Sequence, residues 1–286
     1  MKLHPRDLAE RAFLGVTQNP ALSRITGRLA DAELPRGILL RAMKRYIKAY
    51  DVDMSEVEEE LDAFRTFNAF FTRKLIEGAR PIADGDGVIV SPADARLQTA
   101  ERIPSHGRLE QIKGSRYSLA ALLGDEGQAS AYREGWHATL YLSPRDYHRV
   151  HIPIDGTIVS WRHIPGRLYP VNNLAVRRVE GLFTVNERVV VFLESERFGP
   201  MALAMVGAAN VGKITLSFTN EPGDWRANRV TDVTPPEPIP VRRGDELGMF
   251  NLGSTVVMVA AESGLELADA LEGEHIKMGA PLWRPA

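Results

Sequence analysis

After Gly78 the chain settles into one texture, in which short runs rich in Val, Ile and Thr alternate with clusters of Gly, Pro, Asp and Asn. The runs are GVIVSPADARLQ, ATLYLS, GTIVSWRHI, RVVVFLES, MALAMVGAANVGKITLSF and STVVMVAA. β-Branched residues suit a pleated, half-buried backbone, and the breakers are the residues that turns require. The spacing predicts a mainly β body of short strands, closed as a barrel or stacked as two sheets. Residues 220–240, NEPGDWRANRVTDVTPPEPIP, read as a long loop, because proline cannot donate to a strand ladder.

The first 77 residues read differently. Ile38, Leu39, Ala42, Met43, Tyr46, Ile47 and Tyr50 recur at helical spacing, with Arg36, Arg41, Lys44, Arg45 and Lys48 in the gaps. Leu8, Ala12 and Phe13, then Leu22, Ile25 and Leu29, give two shorter amphipathic pieces broken at Asn19-Pro20 and Leu34-Pro35. Phe64, Phe67, Phe70 and Phe71 follow at helical spacing and are expected to pack on the body. The expected class is α+β, with amphipathic N-terminal helices over residues 1–77 and a mainly β catalytic domain over residues 78–286.

Charge separates the same two regions. Ten Lys/Arg against four Asp/Glu give residues 1–50 a net +6, which leaves −8 for the remainder of a chain whose total is −2. A basic arm on an acidic body calls for an anionic partner. Basic residues interleaved with an apolar helical face suit a phospholipid headgroup layer better than nucleic acid, at about 1 kcal/mol per basic residue. The other reading of the arm is a helical cap whose apolar face packs on the body. Met201–Ala209, the longest strongly apolar run, is about half the ~20 residues of a membrane span. The N-terminus has no signal-peptide core, so a soluble or membrane-surface protein of a reducing compartment is expected. Without cysteine there is no disulfide, thiolate metal site or cysteine nucleophile.

Three segments concentrate reactive groups. Ser143–Pro153, SPRDYHRVHIP, sets His148 and His151 three residues apart beside Asp146, Arg145, Arg149 and Tyr147. Its readings are metal ligation, with the pair on one helix face and further ligands still to find, general acid–base work, or interfacial histidine. Ser91–Arg96, SPADAR, offers Asp94 either as a turn residue bonded to its own backbone or as a carboxylate that orients a histidine. In Gly248–Ala261, GMFNLGSTVVMVAA, the Gly-Ser-Thr is either a turn or a self-directed nucleophile. In the second reading, Ser254 attacks the unhindered carbonyl of Gly253.

Taken together and in order, these segments resemble phosphatidylserine decarboxylase, a pyruvoyl-dependent family made as self-cleaving proenzymes. The resemblance is carried by RTFNAFFTRKL (Arg65–Leu75), RPI through SPADA (Arg80–Ala95), YLSPRDYHRVHIP (Tyr141–Pro153), PGRLYPVN (Pro165–Asn172), FGPMALAMVGAANVG (Phe198–Gly212) and RGDELGMFNLGSTVV (Arg243–Val257). It spans roughly residues 40–280, and Ala95 departs from the glycine usual there. The resemblance implies a barrel-sandwich hybrid body and catalytic residues Asp94, His151, Ser254 and His148. Asp94 would orient His151, which deprotonates Ser254. Cleavage at Gly253/Ser254 would leave a β chain, residues 1–253, and an α chain, residues 254–286, that begins with a pyruvoyl group made from Ser254.

The resemblance further implies that this covalent cofactor forms a Schiff base with phosphatidylserine and releases carbon dioxide. His148 would return the proton, giving phosphatidylethanolamine. The partners implied are phosphatidylserine and an anionic membrane surface met by the arm, without nucleic acid or metal; homo-oligomerisation stays open. Two other readings use the same residues. A Ser–His–Asp hydrolase acting in trans would keep an intact chain, though no Gly-x-Ser-x-Gly elbow is present. A non-catalytic lipid-binding module would bind membranes without Ser254.

Overall fold

A computed structural model describes residues 20–286 except 86, 113–114, 172, 210–212, 221–228, 252–253 and 269; for residues 20–25, 112, 173 and 254 it describes the backbone alone. The body is built on one nine-stranded antiparallel sheet. Eight strands follow one another in the order Thr231–Val233, Gly156–Ile164, Arg188–Ser195, Gly199–Gly207, Ser254–Ala260, Trp136–Leu142, Ala95–Arg102 and His275–Ile276. The ninth, Ile239–Val241, also pairs with Gly156–Ile164. The predicted runs therefore become strands, and the stretches between them hold turns, the paired strands Arg108–Ile112 and Ser115–Ser118, and the short helices Leu119–Leu123, Glu126–Ser130, Asn173–Arg178 and Leu182–Val185.

The most apolar run, Gly199–Gly207, lies in the middle of this sheet between Arg188–Ser195 and Ser254–Ala260. Met201, Leu203, Met205, Val189, Val191, Val256 and Met258 are all fully buried. A strand covered on both faces needs apolar residues at successive positions, which explains its unbroken hydrophobicity. Two three-stranded sheets flank the large one. The first orders Lys213–Leu216, Glu246–Asn251 and Arg149–His151; the second orders Ile89–Val90, Pro281–Pro285 and Leu265–Leu267.

Two expectations are corrected. The large sheet does not close into a barrel: its ends, Thr231–Val233 and His275–Ile276, do not pair with each other among the described residues. Short edge strands end the sheet instead. Residues 220–240 are not loop throughout, because Thr231–Val233 and Ile239–Val241 both pair with Gly156–Ile164. Proline is tolerated in such a ladder at an edge, and Pro240 sits on one.

Ahead of the body, helices span Pro20–Asp31 and Arg36–Tyr50. Leu8, Ala12 and Phe13 lie outside the described residues, and of Leu22 and Ile25 only the backbone is described. In Arg36–Tyr50 the apolar face divides. Leu39 and Met43 are buried in a small separate core with Val57, Phe64 and Phe70, while Ile38 and Tyr50 face outward. Thr66 caps the short helix Phe67–Phe71, its hydroxyl accepting the Ala69 amide at 3.0 Å. Phe70 and Phe71 are thereby turned inward as expected.

Candidate active site

The site arises where the small sheet passes its chain to the large one. Strand Glu246–Asn251 lies antiparallel to Arg149–His151, with Glu246 opposite His151 and Met249 opposite Arg149. Three positions after Asn251, Ser254 opens the next strand, facing Leu142 on one side and Gly207 on the other. The segment from Leu142 to His151 therefore starts beside Ser254 and ends beside Glu246. Topology alone brings the segment that carries both histidines to the two strands on either side of Ser254's entry into the large sheet. Gly253 lies outside the described residues, and Ser254 is placed by its backbone only.

The two histidines occupy a strand end and the turn before it, not a helix face as their spacing allowed. Among the described residues no three His, Asp or Glu side chains are grouped to hold a metal. His151 is buried and held at both ring nitrogens. Its Nδ1 donates to the Gly244 carbonyl at 2.8 Å, and its Nε2 accepts the Tyr147 hydroxyl at 3.0 Å. The Tyr147 ring stacks on it at 5.6 Å between centroids. Gly244 can aim its carbonyl this way because it adopts φ +94°, a conformation that side chains disfavour. The bond at Nδ1 leaves the lone pair on Nε2, the atom a base uses.

His148 is sealed from solvent. Its Nδ1 donates to the Asp146 carbonyl at 2.7 Å, its ring lies 4.0 Å from that of Phe71, and its Nε2 has no partner. Burial pushes its pKa down to about 3, and burial likewise lowers that of His151. His148 is thus a neutral imidazole with a bare nitrogen in a dry setting.

Asp94 is also buried, and the structure does not join it to His151 by a hydrogen bond. Its carboxylate receives Arg80 Nε at 2.7 and 3.0 Å and the Met278 amide at 2.9 Å. Arg80 reaches Glu56 as well, at 2.8 Å. Burial lowers the pKa of His151 first of all, and the negative charge of Asp94 opposes it only after the Gly244 bond and the Glu246 charge. Sequence reasoning missed Arg80, Tyr147 as a partner of His151, and Gly244 as its carbonyl. Tyr147 and Gly244 stood inside the matching motifs, but a hydrogen bond across 93 residues has no spacing signature. The arginines flanking the histidines are engaged or exposed: Arg149 binds Glu246 at 2.7 Å and the Thr72 carbonyl at 2.9 Å, and Arg145 points outward.

Buried neutral histidines make stability depend on pH. Burial depresses His137 to about 4 and His148 to about 3, from an ordinary 6.5. Below that ordinary value the unfolded chain takes up protons that the folded chain refuses. Stability is therefore lost as pH falls from about 6.5 toward 4 and 3, by up to about 1.4 kcal/mol per pH unit per ring. Neither nitrogen of His137 has a hydrogen-bond partner, and the nearest carboxylate, Glu101, stands 4.0 Å from Nε2. His137→Phe should accordingly flatten the acid limb of a melting-temperature profile and raise the melting temperature near about pH 5. An unchanged acid limb would show that His137 takes up its proton in the folded chain.

Fold and site together define a mostly antiparallel α+β protein with two buried histidines on the segment that joins Leu142, opposite Ser254, to the partner of strand Glu246–Asn251. The comparisons make the class specific. Residues 67–284 match the family model described as phosphatidylserine decarboxylase. The chain is 44% identical over 269 residues to the phosphatidylserine decarboxylase proenzyme of Anaeromyxobacter sp. (strain K), covering 92% of this chain and 93% of that one. It is 43% identical to the proenzyme of Vibrio cholerae, covering 91% and 93%, and 42% identical to that of Shewanella loihica, covering 90% and 92%. The chain belongs to the phosphatidylserine decarboxylase family.

Proposed function

We propose that this chain is a proenzyme that cuts itself between Gly253 and Ser254 and then decarboxylates phosphatidylserine to phosphatidylethanolamine. The observation that carries the reading is the register that pairs Arg149–His151 with Glu246–Met249, on the strand whose chain leads on to Ser254, while Leu142, at the start of the same histidine segment, lies opposite Ser254. In maturation, Ser254 Oγ bonds to the Gly253 carbonyl carbon as the Gly253–Ser254 amide breaks, and His151 Nε2 takes the hydroxyl proton. Elimination of the resulting ester leaves a carboxylate on Gly253, and water then releases ammonia and leaves a pyruvoyl group at residue 254. For His151 to act, the serine hydroxyl takes the place of Tyr147 at Nε2, while the Gly244 carbonyl keeps the tautomer set.

The residues present fit that group, because His148 Nε2 is an orphaned buried acceptor on the segment that begins at Leu142, opposite Ser254. Once formed, the pyruvoyl group supplies an electron sink for the bond that breaks as carbon dioxide leaves. Nε2 of His148, bare in the resting chain, can receive the proton shed by the substrate ammonium and return one to the carbon that loses carbon dioxide. The anionic substrate raises the ring's proton affinity as it enters. Release of phosphatidylethanolamine from phosphatidylserine by the purified protein tests the activity directly; intact substrate in the presence of fully cut protein would contradict it.

Asp94 serves maturation through its charge and its grip on Arg80 and Met278. Asp94→Asn should slow chain cleavage and lower the melting temperature, since it removes one side of a buried ion pair. A variant with unaltered cleavage kinetics would remove Asp94 from the mechanism.

The division into a membrane-docking arm, residues 1–77, and a catalytic body, residues 78–286, completes the reading. Among the described residues no helix is long and apolar enough to cross a membrane. Leu29 and Ile38 are more than half exposed, next to exposed Arg28, Arg41, Lys44 and Arg45. This pattern suits the cytoplasmic, anionic face of a cell membrane. Replacing Arg41, Lys44 and Arg45 with serine should weaken binding to anionic vesicles by about 100-fold, at roughly 1 kcal/mol per charge. Activity on detergent-dispersed substrate should be retained. Equal flotation of both proteins with vesicles would assign the basic face to another role.

A further inference from the structure

Asp146 is buried and tied at every acceptor it has. Its Oδ2 accepts the Ser143 amide at 2.7 Å and the Ser143 hydroxyl at 2.8 Å, and its Oδ1 accepts His275 Nε2 at 2.9 Å. Its carbonyl accepts His148 Nδ1 at 2.7 Å, with Arg73 Nη2 at 3.4 Å from the same oxygen. The serine bonds close a local turn and would do so in any protein. The bond from His275 is different. It reaches in from the edge strand His275–Ile276, 129 residues away along the chain, and its ring is one-third exposed.

We infer that Asp146 and His275 are a positioning pair for His148: they fix the peptide whose carbonyl holds Nδ1–H, and so keep Nε2 aimed at the reacting carbon. The inference rests on the reading of His148 as the proton carrier in turnover. It also joins the two products of self-cleavage, because Asp146 belongs to residues 1–253 and His275 to residues 254–286. The bond therefore makes the catalytic turn of one chain depend on the other after the connecting peptide is gone. The Met278 amide on Asp94 and the Lys277 ammonium on Glu56 at 3.2 Å add two more ties from the same short stretch.

The test measures chain cleavage by intact mass, then kcat and KM separately on detergent-dispersed phosphatidylserine, for His275→Ala, His275→Gln and His148→Ala. His275→Ala should cleave fully and lose kcat by about tenfold or more, the range for partners that orient a reacting group, with KM within about twofold. His275→Gln, whose amide can still donate to Oδ1, should recover most of that loss. Normal kcat in His275→Ala beside an inactive His148→Ala would overturn the pair and leave the His148 reading intact. Equal losses in the alanine and glutamine variants would overturn it too, since the bond to Oδ1 would not be what matters. An uncut His275→Ala chain would place the residue in maturation and also overturn the proposal. Full activity in cut His148→Ala would instead sink the reading on which it rests.

Discussion

His148→Ala should yield a protein that is cut in two and yet barely releases carbon dioxide. The ring is completely buried, makes one bond to a backbone carbonyl and leaves its other nitrogen empty. An unsatisfied buried nitrogen is destabilising. A nitrogen kept empty on the segment bonded to strand Glu246–Asn251, where the Phe250 amide donates to the His148 carbonyl, suits a proton that comes and goes. Removing a general acid–base group costs about 10²- to 10⁴-fold in rate. Single-turnover carbon dioxide release from cut protein checks this; a loss under about threefold would take His148 out of the chemistry.

His151→Ala should show the opposite pattern, with the chain remaining whole. Its Nδ1 is committed to Gly244, so Nε2 is the one ring atom available as a base, and Tyr147 now occupies it with a hydroxyl that a serine can replace. Without the ring, Ser254 has no base to take its proton, and the Gly253–Ser254 amide should persist for days rather than mature. Since no new N-terminus forms, decarboxylation should be absent altogether. A time course on a denaturing gel reads the result. If His151→Ala is cut while His148→Ala is not, the two roles are interchanged.

These contrasting outcomes come from residues three apart, whose separate roles were implied by the family resemblance and not by spacing or periodicity. It did show the strands, because a run such as Gly199–Gly207 can only be satisfied in a covered sheet centre. It showed the reactive segments, because YHRVH and LGST are compact in sequence. The open ends of the sheet were not legible, since closure depends on how distant edge strands are placed. Nor were the partners of the site: Gly244 on His151, Arg80 on Asp94 and His275 on Asp146 lie 93, 14 and 129 residues apart. Periodicity reports neighbours on one element, and these bonds join different ones. The divided face of Arg36–Tyr50 shows the same limit. The pattern named an apolar stripe but not which part, Leu39 and Met43, packs inward and which, Ile38 and Tyr50, looks out.

The intact mass of the purified protein tests the central claim most directly. The account predicts two chains, residues 1–253 and 254–286, the shorter beginning with a ketone in place of the Ser254 amine. A single unmodified 286-residue chain from material that decarboxylates phosphatidylserine would contradict it.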